Sequence, residues 1–427
     1  MMRVLSLVAG LIVGTSSAAG WKTCTVPRTN LTDDSLAVNA LLANCSKDAT
    51  ILFEAGKTYN ISTPINFGNL TNVEISFQGN LTVPKNIPYI QNIVNSSGVF
   101  HLAWFTIGGT NVTLNGNTDP NWGWVEWHGD RWWLASGLTH PGGLLIRPYG
   151  WTLEFSNSVI KNMKVSNPIA WNFQTGGDNL TIHNNRVECQ YPLDNPDYFP
   201  FNTDGFNLNG SNIYIHDNWV KNGDDCIVVN AGASNIVAKN NYCEGGHGNS
   251  IQLQQNGSIS NVTFSGTTFV NSLYGGRFKS YQGLSGQISG ITWENFKMTN
   301  VSLPLYLTQN YYDQEISSAP PAVTPSTVTT NLTNVRIANF TGTINDVNPG
   351  DNSCLSVPCW YNVVNATKTE ALIFDLIQGY ASDIHASDID MSTVSGGRTI
   401  DIFCTPSELP SGTNVGYQCV KGPLVPT

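Results

Sequence analysis

Short apolar–polar alternations, each broken after a few residues by Asn or Gly, recur along most of the chain. They include NVTLNGN from Asn111, NLTIHNNRVEC from Asn179, NIYIHDNWVKN from Asn212, NIVAKNNYCEG from Asn235, NVTFSGTTFVNS from Asn261 and NVRIANFTGTI from Asn334. Alternation with period two puts one face of a strand in a core. Asn and Gly at the breaks enter left-handed turns at little cost. The units return roughly every 20–30 residues, the length of one coil of a solenoid. A β-sandwich also uses short strands, but it builds them as hairpins, and near-duplicate N-x-x-I/V units are foreign to it. The pattern therefore predicts an all-β, right-handed parallel β-helix. Only DDSLAVNALLANC breaks the rule: Leu36, Val38, Ala40, Leu41 and Leu42 fit a short amphipathic helix capping the N-terminal end.

The first residues read differently. One positive charge at Arg3, an apolar run from Val4 to Val13 and small residues at Ala18 and Ala19 form a secretory signal peptide over 1–20. Residues 21–427 then make a single domain, since repeat folds escape the usual limit on domain length. Sequons at Asn60, Asn69, Asn80, Asn111, Asn179, Asn261, Asn331 and Asn365 suit a secreted glycoprotein. So do the 9 cysteines, eight of which fall into near pairs: Cys24 with Cys45, Cys226 with Cys243, Cys354 with Cys359, and Cys404 with Cys419. Cys189 is left over as a buried free thiol. A net charge of −10 speaks against nucleic acid and anionic membranes as partners.

Polar chemistry concentrates in one stretch at coil spacing. Asp204 lies in NTDGF, Asp224 and Asp225 in NGDDC, His247 in GGHGNS, Arg277 and Lys279 in GGRFKSY, and Tyr311 in QNYYD. Residues one coil apart become neighbours about 4.8 Å apart in space, so these side chains line one groove. Arg277 and Lys279, two apart, face the same side. Asp224 and Asp225 are adjacent, and Gly223 is the place for a turn or bulge that turns both into the groove. A lone doublet of aspartates is equally a surface turn, a metal site or an acid–base pair. The company it keeps favours the last.

NTDGF, GDDC, GHG-x-S and R-x-K in this order resemble the polygalacturonases and their relatives in glycoside hydrolase family 28, most of all the fungal exo-acting branch. The resemblance covers most of the chain after residue 20. It implies hydrolysis of α-1,4 linkages of a pectin backbone with inversion, by Asp204, Asp224 and Asp225. His247, Arg277, Lys279 and Tyr311 would line the subsites, with Asn202 and Gln252 also contacting substrate. Inversion needs a protonated carboxyl on one face of the sugar and a carboxylate holding water on the other, roughly 6.5–9.5 Å away. Crowding by Asp224 and Asp204 predicts a raised proton affinity at Asp225, hence the general acid, with Asp204 and Asp224 holding the water. Arg277 and Lys279 supply cations for a uronate carboxylate, and His247 tunes the acid. No cofactor and no metal is called for. The partner is pectic polysaccharide, and the chain acts as a monomer.

Two departures bear on specificity. Asn207 stands where many relatives are acidic, and Gln252 places an amide where glycine is common, which leaves galacturonan, rhamnogalacturonan and xylogalacturonan all open. The tryptophans of NWGWVEWHGDRWW (Trp122, Trp124, Trp127, Trp132 and Trp133) either wall off one end of the groove, as exo action requires, or cover the solenoid's flank. Two other classes compete. A calcium-dependent pectate lyase would use the carboxylates as Ca²⁺ ligands, and a non-catalytic carbohydrate-binding solenoid would use none of the acid–base set.

Overall fold

The computed structural model describes residues 20–29, 32–99, 102–137, 146–191, 197–312, 329–354 and 359–427. Of the expected signal peptide, residues 1–19 lie outside that set. Every alternating unit forms strand, and every strand-to-strand pairing is parallel except Asp401–Phe403 with Gly422–Pro423. The fold is the predicted right-handed parallel β-helix. Along one row, Phe173 pairs with Phe206, Phe206 with Ile227, Ile227 with Asn249, Asn249 with Gly276 and Gly276 with Leu305. Those coils are 33, 21, 22, 27 and 29 residues long, close to the spacing read from the sequence.

Each inward position repeats its neighbour, so like packs on like. Phe105, Trp151, Phe173 and Phe206 stack in succession at 4.1, 6.0 and 5.2 Å between ring centroids. Offset stacking adds to the burial of such large rings. At one corner, buried Asn185, Asn218 and Asn241 form a ladder, each side-chain carbonyl accepting from the backbone N–H of the coil before it. At another, Asn111, Asn179, Asn212, Asn235 and Asn261 all hold φ between 54° and 58°. Asn235 and Asn261 each donate to the side chain one coil earlier at 3.1 Å. That accounts for the asparagine at every break.

The expected helix forms as Ser35–Cys45. Asp33 accepts from the Ser35 N–H and, across the cap, from Ser62 N–H and Thr63 Oγ1, which seats the helix on the first coil. The four disulfides pair as the spacing indicated, and Cys189 is free and buried. Burial pushes its thiol up to about 12, so it is inert. None of the five tryptophans expected to wall the groove lines it, and residues 138–145 of the same stretch lie outside the described residues. Trp127, Trp132 and Trp133 are at most 2% exposed and pack on the flank, Trp127 edge-on to Phe105 at 5.8 Å. Trp122 and Trp124 are half-buried outside the groove, Trp124 with Lys164 over its ring.

Candidate active site

Five consecutive coils deliver the chemistry, the first three from the turn that enters a strand and the last two from the strands themselves. Asp204 precedes Phe206–Leu208, Asp224 and Asp225 precede Ile227–Asn230, and His247 precedes Asn249–Leu253. Arg277 and Lys279 lie on Tyr274–Tyr281, and Tyr311 ends Leu303–Tyr311. The turns are pinned by backbone-directed amides: Asn222 Nδ2 donates to both Thr203 O and Asp225 O at 2.9 Å. The disulfide Cys226–Cys243 fastens the same corner. Gly223 is required for space: a Cβ there would lie 2.6 Å from Pro200 O.

A groove of about 640 Å³ runs across these coils, lined among others by Asn202, Asp204, Asp224, His247, Gln252, Lys279 and Tyr311. The other two site residues named from the sequence, Asp225 and Arg277, are not on its wall. Both are wholly buried. Asp225 Oδ1 accepts from Arg277 Nη2 at 2.5 Å and from Ser250 Oγ at 2.6 Å, while Oδ2 accepts from Lys279 Nζ at 2.8 Å. Arg277 also stacks on Tyr274 at 4.5 Å. The turn at Gly223 therefore sends one aspartate outward and one inward, where two outward were expected. Arg277, expected to grip substrate, donates to Asp225 through Nη2 and keeps a buried Nη1 without a hydrogen-bond partner.

The expected proton affinities also change places. Burial raises Asp225, but Arg277 and Lys279 outweigh it and hold that carboxyl below its ordinary value. Burial likewise opposes ionisation of Asp224, yet His247 outweighs it and the carboxylate is held strongly low. Asp224 Oδ1 meets His247 Nδ1 at 3.1 Å and the Asp225 N–H at 2.8 Å, and Oδ2 accepts from Asn202 Nδ2 at 3.3 Å. Asn202 is itself aimed by Arg147, which donates to its Oδ1 at 2.8 Å. Asp204 is pushed well above the usual carboxylate range by burial, then by Asp224 and Asp225. Its Oδ2 accepts only from Asn207, at 3.4 Å, and its buried Oδ1 has no partner.

The charges sort as follows. Asp225 takes Arg277 and Lys279, Asp224 and Asp351 share His247, and Asp204 is left without a cation in contact. A carboxyl so placed holds a proton instead. Oxygens of Asp204, Asp224 and Asp225 lie within 4.8 Å of one another, a spacing that a metal ion would also accept. The donor set argues otherwise, because Asp225 has both oxygens engaged by protein cations. The cluster is also tighter than the 6.5–9.5 Å separation expected on general grounds.

Asp351 went unseen in the sequence. It lies 104 residues from His247, outside the coil ladder, and its Oδ2 meets His247 Nε2 at 2.7 Å. Its Oδ1 accepts from Ser353 N–H and Oγ. Burial pulls the His247 imidazole down, but Asp224 and Asp351 outweigh it and lift it to about 9. Both ring nitrogens then donate, and Trp360, 5.4 Å away, closes one side of the ring. The only hint in the sequence was a turn-forming NPGDNS beside the Cys354–Cys359 pair. Trp171 and Trp360 are the groove's own tryptophans.

Comparison with known proteins follows the same lines. The sequence model described as Glycosyl hydrolases family 28 matches residues 20–360. A "Probable exopolygalacturonase C" of Neosartorya fischeri is 34% identical over 443 residues, covering 100% of this chain and 98% of its own. Its Aspergillus niger counterpart is 35% identical over 434 residues, covering 99% and 96%. Among solved structures, an endo-xylogalacturonan hydrolase from Aspergillus tubingensis superposes with a TM-score of 0.71 at 19% identity, covering 94% of this chain and 100% of that one. At that identity the likeness speaks for the fold.

Proposed function

The chain belongs to glycosyl hydrolases family 28, and from that premise we propose that it cleaves α-1,4-galacturonosyl linkages of pectin by acid–base hydrolysis from a chain end. The observation that carries this reading is a pair of carboxyls on the wall of one groove, Asp204 with no cation in contact and Asp224 held by His247 and Asn202. Exo action is supported by the names of its full-length relatives.

Asp204 and Asp224 are the proton-transfer pair. In the empty groove the proton rests on Asp204, placed to meet the leaving oxygen. Asp224, fixed by Asn202, His247 and a backbone N–H, accepts from the attacking water. The two titrate as a coupled unit. Asp225 is a buried counter-ion that sets Arg277 and Lys279. Lys279 is the lysine on the groove wall and takes one uronate carboxylate, with Tyr311 beside it at 5.5 Å. Inversion survives the short carboxylate spacing if the water is held at the cluster and the sugar stands above it. Residues 1–20 direct secretion, with four disulfides suited to an oxidising compartment and monomeric action outside the cell. Exposed Asn365 is the sequon best placed for a glycan, whereas Asn261 spends its amide in the ladder.

Digestion of polygalacturonate after exhaustive chelation tests the reading. Saturated galacturonate released at an undiminished rate is expected. A strict Ca²⁺ requirement with ultraviolet-absorbing products would make the chain a lyase.

Asp351 acts through His247. Asp351→Asn is expected to shift the alkaline limb of kcat/KM to lower pH by about one unit, since one of two neighbouring carboxylates is lost. Asp351→Glu should restore the limb. A lowered rate with an unmoved pH profile would indicate support of the loop alone.

A further inference from the structure

One row of outward side chains crosses the groove floor from end to end. Glu154 pairs with Gly176, Asn209 continues the row beside Asn230, and Asn230 pairs with Gln252, Gln252 with Lys279, Lys279 with Thr308 and Thr308 with Asp375. Lys279 and His247 are the only cations on the groove wall among the described residues, and both stand at the carboxylate cluster. The segments 30–31, 100–101, 138–145, 192–196, 313–328 and 355–358 contain no Lys or Arg, so no lysine or arginine comes from there.

The end of the groove on the N-terminal side has the opposite character. Glu154 lies over Gly176, close enough that a Cβ on that glycine would stand 2.5 Å from its carboxylate oxygen. No cation pairs with Glu154, and burial raises its carboxyl. Around it the wall is built of Gln174, Thr175, Asn207 and Asn209. Gln174 Nε2 is buried without a hydrogen-bond partner, a cost that is relieved when a ligand hydroxyl or carbonyl arrives. A free uronate there would face a carboxylate and find no counter-ion. A hydroxyl- or ester-bearing neutral unit would meet donors and acceptors on every side.

We infer that the sugar bound over Glu154, Gly176 and Asn209, about two coils or ~10 Å along the groove from the Asp224 coil, is uncharged, and that the free uronate is confined to the Lys279 rung. The inference rests on the hydrolase reading above and names the substrate class of that site: galacturonan whose carboxyls are esterified at the unit bound there. Gly176, where a side chain would occupy the floor, fits a unit bulkier than plain galacturonate.

The test compares kcat/KM at pH 6 on three oligogalacturonates of equal length: fully de-esterified, methyl-esterified, and branched with a neutral pentose. The wild type and Glu154→Gln are run in parallel. The wild type is expected to prefer the methyl-esterified form, and the pentose-branched form, which keeps its carboxylates, separates bulk from charge. Glu154→Gln should raise kcat/KM about fivefold on the de-esterified oligomer, the worth of one like-charge contact near a wet surface. It should change little on the methyl-esterified one, and the gain should fade as the pH falls and Glu154 takes up a proton. Equal rates on all three oligomers with no effect of Glu154→Gln would overturn the inference while leaving the hydrolase reading intact. No turnover of any oligomer by the folded wild type would instead remove the reading on which it rests.

Discussion

Asp204→Asn and Asp224→Asn are each expected to lose roughly 10²–10⁴-fold in kcat, the usual contribution of a positioned acid or base, with KM changed little. An activated substrate separates the two roles. An aryl galacturonide whose phenol leaves without protonation should recover most of the lost rate in Asp204→Asn and little of it in Asp224→Asn. Recovery confined to Asp224→Asn would exchange the assignments. The wild-type pH profile belongs to the same scheme. Asp204 holds its proton because burial and two carboxylates raise it, so activity falls as the pH rises through that elevated value. His247 stays charged to about 9, and its deprotonation contributes to the same limb. On the acid side, Asp224 is held low, so its protonation comes late.

Asp225→Asn is expected to behave in another way, as a loss of stability. Removing one partner from a buried ion pair leaves uncompensated charge and costs about 3–5 kcal/mol. Here two cations, Arg277 and Lys279, are left at once. Chemical unfolding of the variant at neutral pH is the measurement. The sign follows from the depressed carboxyl: the ion pair stabilises the fold above the ordinary carboxylate pKa and its contribution is lost as the pH falls. The gap between wild type and variant should therefore narrow on acidification. A variant with unchanged stability, and activity recovered on the aryl substrate, would return the role of acid to Asp225.

The solenoid was legible because its rule is local. A β-branched pair, a polar position and an asparagine at the corner recur, and stacking turns sequence period into spatial neighbourhood. The same translation made the groove legible, since Asp204, Asp224, His247 and Lys279 fall one per coil. What sequence reasoning missed depends on direction and distance. Which of Asp224 and Asp225 turns inward depends on the turn after Gly223, packed so closely on Pro200 that a Cβ would not fit, and no pattern of alternation contains that. Once Asp225 is inside, it takes Arg277 and Lys279 as partners, and Asp225 and Arg277 lie behind the groove wall. Asp351 comes from an excursion outside the coil register and has no periodic signature. The tryptophan-rich segment offered two readings, and the flank prevailed because the solenoid's side leaves apolar surface that Trp127, Trp132 and Trp133 cover. Glu154 lies two coils before Asn209 in the same row, so the ladder logic extends to it, but a carboxylate without a partner has no signature in the pattern.

Time-resolved proton NMR of polygalacturonate with the wild-type enzyme, in the presence of chelator, tests the central claim most directly, because one spectrum reports bond chemistry, anomer and product size. Inverting exo-hydrolysis requires β-galacturonate monosaccharide as the first new signal, relaxing to the α/β equilibrium only by slow mutarotation. Unsaturated-product resonances, an initial α anomer or an early spread of longer oligomers would contradict hydrolysis, inversion or chain-end action respectively.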